Sequence, residues 1–378
     1  MTTDGFMFSL MRIIKVLVLF LITAVLIAPA SAQMNRKKIK KNNRAMSKFH
    51  GKKNTFTKQK KYGTLGFSIN SMSYLGDIAP KAKWGSTKVG FTRPGLTLSY
   101  GHRVGPRITL LGGLSYGRLQ SDDFEVADPT GDDSKYRYVR NTSFRNDIIE
   151  LSAVTMIDLF KNEGSYLSRP TLAPYLLVGV AGFYHNPKAK IPNEYVLVAN
   201  SAPVAFPNAG EWTALQPLGT EGQNADLLDT DANFGSKPYS LWQISIPIGL
   251  GIRYRLADAL DLSLDFSVRI LFTDYIDDVS KSYVDLDVLD SDLARAMSNR
   301  SRDALSANGD TRDISGWTTN TYTGRNGTTY EVISGFGQEG ALGIPNARGG
   351  SAVNDTFYVT SIKIAYILGA KFRRAKFR

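Results

Sequence analysis

The chain contains no cysteine. That excludes disulfide frameworks, thiolate zinc sites, iron–sulfur clusters and cysteine nucleophiles. It also excludes the lipid-bearing cysteine of a bacterial lipoprotein. Histidine is nearly as scarce: His50, His102 and His185 are the three present. Beyond the first 32 residues no stretch reaches the ~18 consecutive apolar residues of a membrane helix. There is no P-loop and no dinucleotide-binding fingerprint. Acidic residues are missing from one long segment. Residues 34–61 hold 12 Lys/Arg and no Asp/Glu, residues 371–378 hold five more Lys/Arg, and the first 33 contribute +1. Of the formal net charge of +12, the body 62–370 therefore carries −6. The positive charge belongs to the ends, so it is poor evidence for nucleic-acid binding by a folded body, and no nucleic-acid partner is expected.

What is present begins with an export signal. Arg12 and Lys15 precede an apolar run from Val16 to Ile27, broken only by Thr23, and Ala30-Ser31-Ala32 follows with Gln33 behind it. This is a charged n-region, a short h-region and an A-x-A cleavage site. The run is too short to span a bilayer, which takes ~20 residues. The expected organisation is a signal peptide at 1–32, a basic disordered arm at 33–61, a barrel at 62–372 and a basic tail at 373–378.

From Tyr62 onward the apolar residues recur with period two, the strand period. In 239–256, Trp242, Ile244, Ile246, Ile248, Leu250, Ile252 and Tyr254 fall on one face, with Ser245, Pro247, Gly249, Gly251 and Arg253 on the other. Residues 260–276 repeat the pattern with Leu260, Leu262, Leu264, Phe266, Val268, Ile270 and Phe272. Apolar faces this long and unbroken exceed most soluble strands and suit a barrel whose outer face meets lipid. Eight such strands are predicted, at 62–76, 91–104, 107–120, 144–160, 173–187, 239–256, 260–276 and 354–372. Short connections (105–106, 161–172, 257–259) alternate with long ones (77–90, 121–143, 188–238, 277–353). The predicted fold is all-β: a transmembrane antiparallel barrel of about eight strands with short periplasmic turns and long outer loops, both termini periplasmic. Ser291–Ser306 reads as helical and Tyr322–Ser334 as an extra hairpin above the membrane. Trp242, Tyr254, Phe272, Tyr358, Tyr366 and Phe372 sit near strand ends, as an interfacial girdle requires.

A barrel of this size has room inside for side chains only. The inward faces supply Glu150, Asp158, Asp261 and Asp265 against Arg253, Arg255, Arg269 and Lys363, a lumen network expected to pair and to plug the barrel. No catalytic residues, metal site or cofactor are expected. With strands tilted by roughly 40°, His102 and His185 sit on the order of 20 Å apart and cannot share a site. Ser99 and Ser115 stand near neither in triad order. The acidic loop segments Asp122, Asp123, Glu125, Asp128, Asp132, Asp133 and Asp285, Asp287, Asp290, Asp292 lack the spacing of a calcium loop and read as solvated loops. In the arm, Lys37, Lys38, Lys40, Lys41, Lys52, Lys53, Lys60 and Lys61 are the candidate partner-binding residues. A block of like charge repels itself until a partner neutralises it, and anionic headgroups or an acidic periplasmic protein would do so.

Three segments carry a family resemblance: INSMSYLGDIAP (69–80), FRNDIIELSAV (144–154) and RILFTDYIDDVSKSYVD (269–285). They resemble the PorG-type outer-membrane proteins of Bacteroidota, small barrels associated with type IX secretion and gliding motility. The resemblance implies an outer-membrane location, no catalytic residues, and contact with a periplasmic ring of a lipoprotein and its partner. The expected function is thus a non-enzymatic outer-membrane barrel, seated in outer-membrane lipid, that anchors a periplasmic type IX secretion complex and takes no small-molecule substrate. The alternatives are a surface adhesin or ligand-binding barrel using the long outer loops, a small-solute porin, and a barrel lipid hydrolase.

Overall fold

The computed structural model describes Phe56 and residues 60–78, 91–131, 134–339 and 344–368. The signal segment, most of the basic arm and the tail 373–378 lie outside the described residues. Eight long strands form the barrel: β1 Gly63–Leu75, β2 Arg93–Arg103, β3 Ile108–Asp122, β4 Ser143–Asp158, β5 Leu172–Tyr184, β6 Trp242–Ala257, β7 Leu260–Leu271 and β8 Thr356–Ile367. Each pairs antiparallel with the next in sequence, and β1 pairs with β8. The sheet is therefore a closed up-and-down barrel with no free edge, the one sheet arrangement that satisfies every backbone group inside a bilayer. Each strand matches one expected from the alternating pattern.

Alternation also sets the facing. Ile244, Ile248, Leu250, Leu264, Phe266, Ile362 and Ile364 are exposed, whereas Ser245, Asp261, Ser263, Asp265, Arg269 and Lys363 are buried. In register, Ile248 stands opposite Val268, Leu250 opposite Phe266 and Ile252 opposite Leu264, so the apolar face continues from strand to strand. A soluble monomer rarely exposes so continuous an apolar surface; this is a lipid-facing belt. Trp242, Phe272, Tyr254 and Tyr366 are exposed at its edges, and Tyr184 packs on Trp242 with ring centroids 5.3 Å apart. Phe372 falls outside the described residues.

Two residues in β6 serve the interior. Pro247 offers no amide, and the ladder to β5 skips between Ser245↔Ala181 and Ile248↔Val178. A Cβ at Gly251 would lie 2.6 Å from the Tyr175 ring, so glycine makes room for the inward aromatic side chain of its ladder partner on β5.

Short connections 104–107, 159–171 and 258–259 lie at one end. At the other, the long connections pack together as a cap. A hairpin of Thr319–Thr323 and Thr329–Ile333 buries Tyr322, Tyr330 and Val332 against Tyr195, Leu197, Leu286, Leu289 and Ala294. Helix Asp292–Ser298 starts where the Ser291 hydroxyl accepts the Ala294 amide. It stops short of the expected Ser306 because the Asn299 side chain captures the Ser301 amide and hydroxyl, a local bond that competes with the helix ladder.

Candidate functional site

The interior is built in layers, and the lowest lies at the short turns. Arg103, at the end of β2, donates to the carbonyls of Gly105 (3.2 Å), Pro106 (2.9 Å) and Asn162 (2.9 Å) and to the Tyr62 hydroxyl (3.2 Å). Arg169, in the turn before β5, donates to Asp261 (2.8 Å) and to the carbonyls of Ala257 and Asp258 (both 2.7 Å). Both arginines are almost fully buried. Together they tie the three short turns to the floor of the lumen, where turn carbonyls otherwise lack donors.

The next layer holds the charges that the alternating pattern placed inward. Arg253 makes two bonds of 2.9 Å to Asp158. Arg269 grips Glu150 at 2.9 and 3.0 Å and the Ser267 hydroxyl at 2.6 Å. Lys363 meets Asp265 at 2.9 Å, and the Tyr175 hydroxyl donates to the same carboxylate. Arg255 departs from the expected network. It stands opposite Asp261 in the ladder, but Arg169 occupies that carboxylate. Arg255 instead pairs with Asp258 of the turn at 2.5 Å, a side chain more than half exposed, beside the register shift between Arg255 and Ala257. Sequence reading missed Arg103 and Arg169 because it assigned lumen roles by strand alternation, whereas Arg169 enters from a connection and Arg103 stands at its strand's last residue. Their only signal is an arginine next to a short Gly- or Pro-containing turn.

Beside the ion pairs, the wall of β1 to β4 is lined by small groups. Ser68, Thr97, Ser99, Ser115 and Ser152 surround a cavity of about 90 Å3, room for a few waters. Above it Met72, Phe144, Ile148, Phe183, Phe357 and Val359 close the barrel with an apolar layer.

The mouth above is polar and buried. This corrects the expectation of a solvated loop for Asp122, Asp123 and Asp287, whereas Glu125 and Asp128 are exposed as expected. Asp123 is fully buried, held by Arg140 at 2.7 and 2.8 Å and by the Thr142 amide. Asp287 accepts from the Tyr330 hydroxyl at 2.6 Å and the Asn326 amide at 2.8 Å. Arg348 donates to Glu221 at 2.9 Å and to the Asp278 carbonyl at 2.6 Å, while Tyr239 and Thr220 donate to the Asp278 carboxylate. Burial pushes Asp278 up to about 6, although Arg348 opposes the shift. Burial also pushes Asp274 up to about 7 and lowers His185 to about 4. His185 rests between the Asn146 amide, the Ser240 carbonyl and the Tyr239 ring; no hydroxyl or carboxylate bonds to it among the described residues. Asp132 and Asp133 lie outside the described residues, and Asp290 and Asp292 are exposed. Among the described residues no cluster of three or more His, Asp or Glu side chains is arranged to hold a metal ion.

One surface cleft stands apart from the lumen. Residues 190–196 and 300–309 of the cap enclose about 380 Å3, with Glu194, Asp303 and Asn308 in its lining. Its cations are engaged within the cleft: Arg300 binds Asp303 at 2.8 Å, and Lys190 reaches Asn308 at 3.3 Å. Of the arm's candidate residues, Lys60 and Lys61 are described, just before β1, with Lys61 exposed. Lys37, Lys38, Lys40, Lys41, Lys52 and Lys53 lie outside the described residues.

No protein-family model and no curated protein matches the chain by sequence. Among solved structures, it is similar to the outer membrane protein OprG from Pseudomonas aeruginosa at 10% identity, over 81% of this chain and 95% of that one, with a TM-score of 0.30. It is similar to a major outer membrane protein from Thermus thermophilus at 11% identity, over 81% and 99%, with a TM-score of 0.30. Neisserial surface protein A matches at 7% identity over 81% and 96%, with a TM-score of 0.28. Overlaps this loose carry no weight of their own; the strand order establishes by itself a closed, eight-stranded antiparallel barrel with a lipid-facing belt.

Proposed function

We propose that this chain is a non-enzymatic outer-membrane barrel that anchors a periplasmic complex, of the type IX secretion kind, to the membrane. The side-chain-filled lumen carries the reading. Its salt bridges, the Arg169 and Arg103 floor and the apolar layer argue against transport and favour the two faces as the functional parts. An export signal at 1–32 and the lipid-facing belt support an outer-membrane destination. In that orientation the short turns face the periplasm. The two buried arginines hold them rigid, and a rigid surface loses less entropy on binding. The three segments that resemble the PorG-type proteins support kinship of the barrel; they meet at the loop-side mouth, through Tyr74, Asn146 and Asp277. The arm 34–61 supplies the docking element, and its binding is electrostatic and salt-sensitive.

The test is a pull-down from gently solubilised membranes with three chains: native, deleted for 34–61, and carrying glutamine for every arm lysine. The deletion leaves a heat-modifiable barrel in the membrane and releases the periplasmic partners. The glutamine arm does the same without shortening the tether. Retention of the complex by the glutamine arm at physiological salt would remove the docking role and leave the arm as a spacer. The cap cleft favours a second reading, a surface-binding barrel. Binding to cells or glycans that is lost on trimming 190–196 and 300–309 would support it, with the periplasmic partners unaffected.

A further inference from the structure

Where the cap meets the barrel, two carboxylates converge on one phenol. Tyr74, near the end of β1, has its hydroxyl oxygen 2.6 Å from Asp277 Oδ2 and 2.5 Å from Asp355 Oδ1. Asp277 belongs to the cap segment after β7, and Asp355 immediately precedes β8. All three side chains are buried. A phenol has one proton and can donate it to one acceptor. The second carboxyl oxygen must bring its own proton, or two lone pairs face each other out of water. The remaining bonds favour one of the two as host. Asp277 Oδ2 also accepts the Ile78 amide and its Oδ1 the Val279 amide, whereas Asp355 Oδ1 has Tyr74 alone and its Oδ2 takes the Ile276 amide.

Among the described residues no Lys or Arg bonds to Asp277 or Asp355. Their charged neighbours are Asp77, from the segment after β1, and Asp274, from the segment after β7. Farther out on the cap, Arg140 is taken by Asp123, and Arg348 by Glu221 and Asp278. Arg137 and Arg140, from the connection before β4, feel Asp77, and Arg137 also feels Tyr74. Among the described residues the carboxyl pair itself thus has acidic neighbours and no bonded cation.

We propose that Asp277, Asp355 and Tyr74 form a proton-holding latch between the barrel rim and the outer cap, closed while the carboxyl pair keeps one proton and loosened when that proton leaves. Burial and mutual repulsion hold Asp277 well above the usual carboxylate range, and burial raises Asp355 to about 8; the two titrate as a pair. A carboxyl raised in the folded cap gives stability that is fully present below the ordinary carboxylate value of 3.8 and is lost as pH rises through about 8. The cap is therefore tightest in acid and opens toward alkali, the reverse of a salt-bridged acid.

The experiment uses the full chain folded in lipid vesicles. Hydrogen exchange, corrected for the intrinsic pH dependence of amides, is followed at the Ile276, Val279 and Ile78 amides. Their protection should fall about tenfold or more between pH 6 and pH 9. Asp355→Asn keeps the acceptor for Ile276 and supplies a permanent donor to Tyr74, so its protection should stay level across that range. Infrared spectra add a readout independent of any variant. The native chain should show a protonated-carboxyl band at pH 7.5 that disappears by pH 10, and Asp274→Asn should retain part of it. Native protection that is level with pH, an Asp355→Asn slope equal to the native one, or no protonated-carboxyl band at pH 7.5 would each overturn the latch. Recovery of protection at pH 9 on adding calcium or magnesium would overturn it too, by assigning the bridge to a metal ion.

Discussion

The buried carboxylates of the lumen and the pair Asp277 and Asp355 at the mouth are neutralised in opposite ways. In the lumen Glu150, Asp158, Asp261 and Asp265 each have a cation within 2.9 Å: Arg269, Arg253, Arg169 and Lys363. At the mouth Asp123 and Glu221 also have arginines, but Asp277 and Asp355 have a tyrosine and backbone amides, and among the described residues no Lys or Arg bonds to them. Burial penalises an isolated charge by several kcal/mol, and the two regions offset that cost by different means. The lumen neutralises each acid with a base held inside the barrel. The Asp277–Asp355 pair is neutralised by keeping a proton. The first solution depends on partners; the second needs no partner and depends on pH. A rigid plug and an adjustable lid are the structural consequences.

The largest effect should come from leaving one lumen charge alone. Arg269→Met strands Glu150 in the barrel centre and should lower stability by about 3–5 kcal/mol, the usual result of breaking a buried pair from one side. Adding Glu150→Met should restore most of it, since both charges then go and the volume is kept. Urea unfolding of the two variants in lipid vesicles measures the difference. If the double variant is as unstable as the single one, the comparison fails, because the pair would be contributing geometry beyond charge neutralisation.

Next in size are charges placed on the wrong side of the wall. Ile246→Arg and Leu264→Arg each put a guanidinium in lipid at about 2–4 kcal/mol near the midplane and should slow insertion. Ser245→Arg points inward, between Ala181 and Leu271 of the neighbouring strands. It should insert like the native chain yet unfold more easily, because its charge enters a packed interior at a fully buried position. Heat-modifiability and vesicle insertion separate the two outcomes. Equal insertion by all three would contradict the facing of β6 and β7.

The sequence made the wall legible and left most of the cap illegible, for a physical reason. Along β6 and β7 each residue's environment follows from parity: Ile248 and Leu250 face lipid, Asp265 and Arg269 face inward, and a period of two reports it directly. The cap obeys no period. Asp123 and Asp128 sit in one acidic stretch, yet Asp123 is sealed against Arg140, whereas Asp128 is exposed and accepts the Thr130 amide. Only long-range packing decides between them. The hairpin near Tyr322 was readable because it alternates again. Arg169 was not, because a turn residue that reaches into the lumen leaves no trace in any alternation.

Arg255 gives the smallest effect and the sharpest control on the comparison. It pairs with Asp258 at 2.5 Å, shorter than the lumen ion pairs, but Asp258 is 59% exposed. If bond length governed the energetics, Arg255→Ala would rival Arg269→Met. If desolvation governs them, water and salt already screen this pair, and its loss should cost about 0.2–1 kcal/mol. The cost should shrink further as salt is raised, while that of Arg269→Met stays constant, since buried charges are screened far less. Unfolding of both variants at low and high salt tests this in one series. A salt-independent loss of several kcal/mol at Arg255 would return that residue to the lumen network from which the turn geometry removes it.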